Sequence, residues 1–432
     1  MRSPSAWLVV KEFRELFRSR AYWLLLLMMG PLAGNSFITA VNLYAEASGV
    51  GGGPAALSQG LSPLDGILVP FFGAYDIAVT LLFPFVVIRL VAAEKENGAL
   101  KLMLQGPASL GSILSAKIFV LVAGWTLAWT PGWIGLLLWK AYGGSIYAPE
   151  LLNLLLGHFL RVLLSTGVAV AAAALAVNAS SAAIVTLGFT VGTWVLDFVA
   201  PGRVSYTPTA ALRTFEQGQL RLSMILVQLT ITGACLALAA VWLPPGRTTK
   251  ARTWGTAGVL LAASLLVLLG TQARPAWDLS ENRRNSFAPA AEAALRQIRA
   301  PLHVTVYLAQ EDPRLMDLDR GFLSKLERVL PSVEIRNAAQ SRSGLFESPG
   351  DHYGEVWYEM AGRKAMSRST IEPVLVEMLC QLADVPVPVN SEDTPFAGHP
   401  LPVRPVGAAW LFQGLWPGAV ALAWWLHFRI GR

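Results

Sequence analysis

Long apolar runs constrain this chain more than any other feature. Eight of them, each about twenty residues long, lie at 21–44, 66–92, 118–138, 151–177, 182–200, 222–243, 254–272 and 407–428. About 30 Å of hydrocarbon, crossed at about 1.5 Å per residue, requires that length, so each run predicts a transmembrane helix. Composition agrees: 54% of the 432 residues are hydrophobic and 14% charged, against roughly a quarter charged in a soluble protein. The fold class expected is a polytopic all-α membrane protein of about eight transmembrane helices. A polar stretch, 273–406, interrupts the last two spans and is long enough to form a domain of its own.

The placement of charge gives the expected topology. The net charge is +6, and Lys and Arg cluster beside the apolar runs, which points to the positive-inside rule rather than to nucleic acid. Arg2, Lys11, Arg14, Arg18 and Arg20 form one group, Arg89, Lys95, Lys101 and Lys117 a second, Arg247, Lys250 and Arg252 a third, and Arg429 and Arg432 a fourth. Only Lys140, Arg203, Arg213 and Arg221 fall in the opposite loops. Both termini are therefore expected on the cytoplasmic side of the plasma (inner) membrane, with 273–406 extracytoplasmic. Residues 1–20 read as an amphipathic interfacial helix, with Trp7, Val10, Phe13 and Phe17 on one face and Lys11, Glu12, Arg14, Glu15 and Arg18 on the other. It is too acidic for a signal-peptide leader and no small-residue cleavage site follows, so it is expected to be retained.

Between the second and third runs, 89–117 reads RLVAAEKENGALKLMLQGPASLGSILSAK. Glu94, Lys95, Glu96 and Lys101 call for water, whereas Leu100, Leu102, Met103 and Leu104 call for an apolar surface. Gly98 and the pair Gly106-Pro107 punctuate a turn, a short helix and a second turn. Ser109 is placed to cap the next helix, which Leu110, Ile113 and Leu114 carry forward.

Glu94, Glu96, Gly98, Leu100, Leu102, Leu104, Pro107 and Lys117 together resemble the cytoplasmic loop of type-2 ABC exporter permeases, whose pattern is E-x-E-x-G-T-L, a Leu-rich stretch, a Pro and a later Lys. The chain departs from it at Ala99 and Lys101. The resemblance implies a coupling helix, here over 93–113, that docks on a separate cytoplasmic ATPase through Glu94, Glu96, Gly98, Leu100, Leu102, Leu104 and Pro107. It also implies an elbow helix at the amino terminus, a six-span permease unit over 21–244, and a Phe and a Gly before the sixth span, as in P-T-A-A-L-R-T-F-E-Q-G-Q-L-R-L at 208–222. Permeases of this kind work in pairs and nothing within the chain duplicates the unit, so a second permease subunit is expected, identical or related.

The stretch 245–272 is a linker and seventh span. After it, helices are expected at 289–298, 321–330 and 371–382, strands at 302–309 and 333–336, and a hairpin at 355–367 turning at Gly362-Arg363, an α/β arrangement. Asp278, Leu279, Ser280, Ser286, Phe287, Val304, Val306, Tyr307 and Leu308 are similar to the extracytoplasmic domain of gliding-type ABC auxiliary subunits. The resemblance implies a fusion of permease and auxiliary subunit, with room for an extracytoplasmic partner. The proline-rich segment after Asp384 reads as an extended tether to the eighth span and tail at 407–432.

No G-x-x-x-x-G-K-[ST] occurs, so ATP and its Mg are expected on the partner ATPase and no cofactor on this chain. The five histidines show no metal-ligand spacing and no serine lies in G-x-S-x-G, so a non-catalytic subunit is expected. Asp76, His158, Arg161 and Asp197 lie inside apolar runs, where isolated charge costs roughly 2.5–3.5 kcal/mol. Arg161 is expected to pair with Asp76 or Asp197, either to orient helices or to line a polar vestibule. Two other functions fit the sequence: a secondary transporter coupled through Asp76 and Arg161, or a membrane-tethered binding or scaffold protein that works through 273–406.

Overall fold

The computed structural model describes residues 4–49, 60–106, 108–199, 205–309, 312–338, 352–388 and 396–430. They divide into two compact units, 1–275 with 397–432, and 276–396.

The first unit is a helical bundle. Helix α1 (Pro4–Arg18) precedes α2 (Arg20–Ala47). A π turn at Leu64–Leu68 opens α3 (Val69–Leu81), which is followed by α4 (Phe83–Glu96). The break at Leu82 sits where Pro84 can supply no N–H to the helical ladder. Pro131 marks the same break between α6 (Leu110–Ala128) and α7 (Thr130–Ala141), with the seven-residue α5 (Ala99–Gln105) lying before them. Then come α8 (Ala148–Leu175), α9 (Ala179–Val199), the short α10 (Pro208–Glu216), α11 (Leu222–Trp242) and α12 (Thr249–Thr271).

Among the described residues seven helical stretches are long and apolar enough to cross a membrane: Arg20–Ala47, Leu64–Glu96, Leu110–Ala141, Ala148–Leu175, Ala179–Val199, Leu222–Trp242 and Thr249–Thr271. The protein is thus multi-pass by its helices, with seven such stretches where the sequence suggested eight. The eighth run is helical, a π turn at Trp410–Leu415 leading into the helix Trp416–Ile430, but Trp410, Trp416, Trp424, Trp425 and Gln413 leave it outside that apolar class. It lies along α2, where the Trp416 indole donates to the Leu26 carbonyl at 2.8 Å.

α8 is the most enclosed of the seven and α12 the least. Small residues and Gly157 let neighbouring helices approach α8: a Cβ added at Gly157 would stand 2.5 Å from the Phe215 Cβ on α10. The buried face of α1 is Leu8, Glu12 and Leu16, whereas Trp7 is exposed. The sequence placed Glu12 on the polar face of an interfacial helix; it is buried because it finds a cationic partner, described below.

The second unit contains α13 (Pro289–Leu295), a helical stretch over Pro313–Leu318, Asp319–Leu323 and Ser324–Val329, and the helix Glu372–Leu382. Its four-stranded sheet has the order Val333–Asn337, Leu302–Val306, Val356–Met360, Arg363–Ser367, the first pair parallel and the others antiparallel. Alternation places Leu302, Val304 and Val306 inside with Tyr358, Phe322, Leu326 and Leu379. The hairpin turns at Ala361-Gly362, one residue before the expected position. Both have positive φ, +49° and +80°, as a two-residue type I′ turn requires. Residues 397–406 of the expected insert belong to the helical unit instead: Tyr44 donates to the His399 carbonyl at 2.8 Å, and Leu401 N–H to Ser48 Oγ at 2.9 Å.

Candidate functional site

The stretch expected as one coupling helix over 93–113 is three pieces: the last turn of α4, then α5, then the start of α6. Asn97 ends α4, and Gly98 adopts φ +78°, a left-handed conformation that glycine takes without strain. Ser109 caps α6, its Oγ accepting from Ser112 N–H at 3.2 Å. Pro107 lies outside the described residues.

Three consecutive residues at the end of α4 each hold a different part of the bundle. Glu94, expected in water, is only 7% exposed. Lys117 Nζ on α6 lies 2.7 Å from Glu94 Oε2 and 2.8 Å from Glu12 Oε2 on α1. Lys11 contacts Glu94 Oε1 and stands 2.9 Å from Glu12 Oε1. Two lysines and two glutamates from α1, α4 and α6 thus form a neutral quartet. Complementary charge is what allows Glu94 and Glu12 to be buried, since an unpaired carboxylate there would lose its hydration without compensation. Burial, reinforced by the Lys117 charge, lowers the Lys11 pKa below the ordinary lysine value.

Lys95 reaches the end of α8 and donates to the carbonyls of Ala173 (3.2 Å), Ala174 (2.7 Å) and Ala176 (2.6 Å). These include carbonyls that the helix itself leaves unsatisfied, at its negative pole. Glu96 does the converse at the start of α9, where its Oε1 accepts the Ala179 N–H at 2.9 Å. A cation on one helix end and an anion on the next clamp the α8–α9 turn to α4.

The three leucines proposed as one docking face do not share one. Successive helical residues are turned by about 100°, so i and i+2 diverge. Leu100 is 4% exposed and packs inward, Leu104 is half-buried, and Leu102 is 72% exposed. The outward face of α5 is Lys101, Leu102 and Gln105.

The intramembrane charges form a second cluster. Of the two partners open to Arg161, Asp76 is the one it takes: Arg161 Nε lies 2.9 Å from Asp76 Oδ1, and Nη2 donates to Thr80 Oγ1 at 3.1 Å. Asp197 accepts instead from Thr207 Oγ1 at 2.9 Å and faces Arg213 Nη1 at 3.5 Å. His158, one turn before Arg161, is buried, with Nε2 unpartnered and 4.0 Å from Glu216 Oε1 at the end of α10. Burial, with the Asp76 charge nearby, raises the Glu216 pKa to about 7 against the lowering pull of Arg213.

Sequence reasoning missed Glu12, Lys11 and Glu216 as site residues. Glu12 had a signal: it stands four residues from both Leu8 and Leu16, in the middle of their stripe. Glu216 had none, because its partner is 58 positions away in sequence, 216 less 158. Among the described residues no group of His, Cys, Asp and Glu is arranged to hold a metal ion.

Compared with known protein families, with curated proteins and with solved structures, the chain matches none.

Proposed function

We propose that this chain is the membrane subunit of an ATP-driven exporter or mechanotransmission complex, moved at α5 by a separate ATPase that carries the ATP and Mg. The observation that carries this reading is the anchoring of a short helix with an exposed leucine. Immediately before it, Glu94, Lys95 and Glu96 tie the chain to α1 and α6, to the end of α8 and to the start of α9. A load on Leu102 and Lys101 would reach four helices through contacts that are short and ionic or charge-assisted, the strong class of hydrogen bond. Packed helices answer such a load by shifting as rigid bodies rather than by deforming. In this reading α5 lies in the cytoplasm, a second permease subunit completes the path, and residues 276–396 act on the far side of the bilayer as a gate or as a contact for an extracytoplasmic partner.

Within the reading the outward face of α5 binds the ATPase, and Glu94 and Glu96 are positioning residues. The test is purification of the full-length chain from its native membranes, with ATP hydrolysis measured in the eluate. Wild type brings down an ATPase; Leu102→Glu places an unpaired charge at the contact and reduces recovery at least tenfold, while expression and helix content stay unchanged. Glu96→Ala combined with Gly98→Pro removes the clamp and the turn and has the same effect. An eluate without ATPase, or one whose ATPase is insensitive to Leu102→Glu, overturns the proposal. Uptake driven by a proton gradient with no ATP would instead favour a secondary transporter.

A further inference from the structure

The His158–Glu216 juxtaposition has no part in the docking argument, and neither residue is used by the α5 anchors. His158 is closed off on α8, its side chain 2% exposed, and Nε2 has no hydrogen-bond partner. Glu216 approaches from α10 with 16% of its side chain exposed. The approach is built in. Gly157 leaves no side chain between α8 and Phe215, and Asn153 Nδ2 donates to the Phe215 carbonyl at 2.8 Å, fixing the residue before Glu216.

An imidazole nitrogen and a carboxyl oxygen 4.0 Å apart are beyond hydrogen-bond reach. Nε2 is satisfied when the Glu216 carboxyl carries a proton and its side chain closes the remaining gap to donate it, since a buried nitrogen without a partner is costly. The surroundings favour that state. Asp76 on α3 adds negative charge, and its own charge is already matched by Arg161 on α8. On α10 itself, Arg213 draws the other way but is 48% exposed and faces Asp197 of α9. On the strand side, Arg221 donates to Gln219 Oε1. Glu150, also on α8, is buried about two turns before His158.

We propose that His158 and Glu216 form a proton-binding site, in which Glu216 takes up a proton from solvent at its exposed edge and donates it in a hydrogen bond to His158 Nε2. One proton is bound per site and no other bond changes. Loading replaces a carboxylate by a neutral acid, so α10 sits against α8 as part of a neutral cluster when loaded and of an anionic one when empty. This is independent of any ATPase and goes beyond the docking reading.

The experiment is infrared difference spectroscopy of the full-length protein in lipid nanodiscs, titrated from about pH 5 to about pH 9. Wild type is expected to show the carbonyl stretch of a protonated carboxylic acid that disappears with a midpoint near 7, and Glu216→Gln to lack it. Arg213→Gln, at a half-exposed position, removes the opposing charge and moves the midpoint to higher pH. Absence of a titrating band in wild type, its persistence in Glu216→Gln, or an unmoved or lowered midpoint in Arg213→Gln overturns the proposal.

Discussion

Lys117 is the residue on which the quartet turns: like Lys11 it bridges both buried carboxylates, at 2.7–2.8 Å, but it is the more deeply buried of the two lysines. Lys117→Met keeps the length of the side chain and removes the charge, leaving Glu12 and Glu94 with only Lys11 between them. Breaking a buried pair in this way costs about 3–5 kcal/mol, so the variant is expected to lower thermal stability in lipid nanodiscs by that amount. Glu15→Gln, on the exposed side of α1, is expected to change it by less than about 0.5 kcal/mol. Glu216 sets a pH dependence. Its folded pKa, about 7, lies above the ordinary glutamate value of 4.5. Its contribution to stability is therefore full below pH about 4.5 and lost as pH rises to about 7, a fall of about 3 kcal/mol by linkage. Glu216→Gln is expected to flatten that slope in a thermal-unfolding series. At this scale the sequence was a partial guide. That Arg161 would pair with Asp76 or Asp197 was readable from charges in apolar runs, but the choice of Asp76 was not, and neither was Glu94: local polarity argues for water, and only the tertiary arrangement supplies Lys117 and Lys11.

Among the elements, α5 carries the interpretation. Its start was legible from Gly98 and its sequel from Ser109, because turn and cap chemistry are local properties. Its orientation was not, since seven residues with leucines at alternate positions suit no single helical face, and packing against the bundle decides which leucine turns in. Gly98→Ala meets no neighbouring atom within 4 Å, so only the left-handed backbone resists it. A cost of about 1–2 kcal/mol is expected, seen as faster amide hydrogen exchange confined to Ala99–Gln105. In α1 the amphipathic helix was legible and the burial of Glu12 was not, because a glutamate is read as polar wherever its partner cannot be seen. The last apolar run shows the converse. Its tryptophans count as apolar in a pattern search, yet they bring indole N–H groups, and Trp416 uses its own on the Leu26 carbonyl of α2.

For the molecule as a whole, two units follow from two kinds of periodicity: long apolar runs in one, and alternating strands between short helices in the other. Residues 276–396 enclose a core of their own around Val304, Phe322, Tyr358 and Leu379. Expressed alone, they are expected to unfold in one cooperative transition by circular dichroism, with Phe322→Ala costing about 3–5 kcal/mol. The sequence carried the insert on to 406, whereas 397–406 join the helical unit through the Tyr44 and Ser48 side chains and through backbone bonds such as His399 N–H to the Leu61 carbonyl, partners too far away in sequence to be seen locally. The central claim is that the outward face of α5 is gripped by an ATP-hydrolysing chain. The most direct measurement places a photo-crosslinking residue at Leu102, and at the inward Leu100 as a control, in the full-length protein in its native membrane, and identifies the product by mass spectrometry. The account predicts a nucleotide-binding ATPase joined at position 102 and not at 100; a product at 102 that contains only lipid, or only a protein with no nucleotide site, would contradict it.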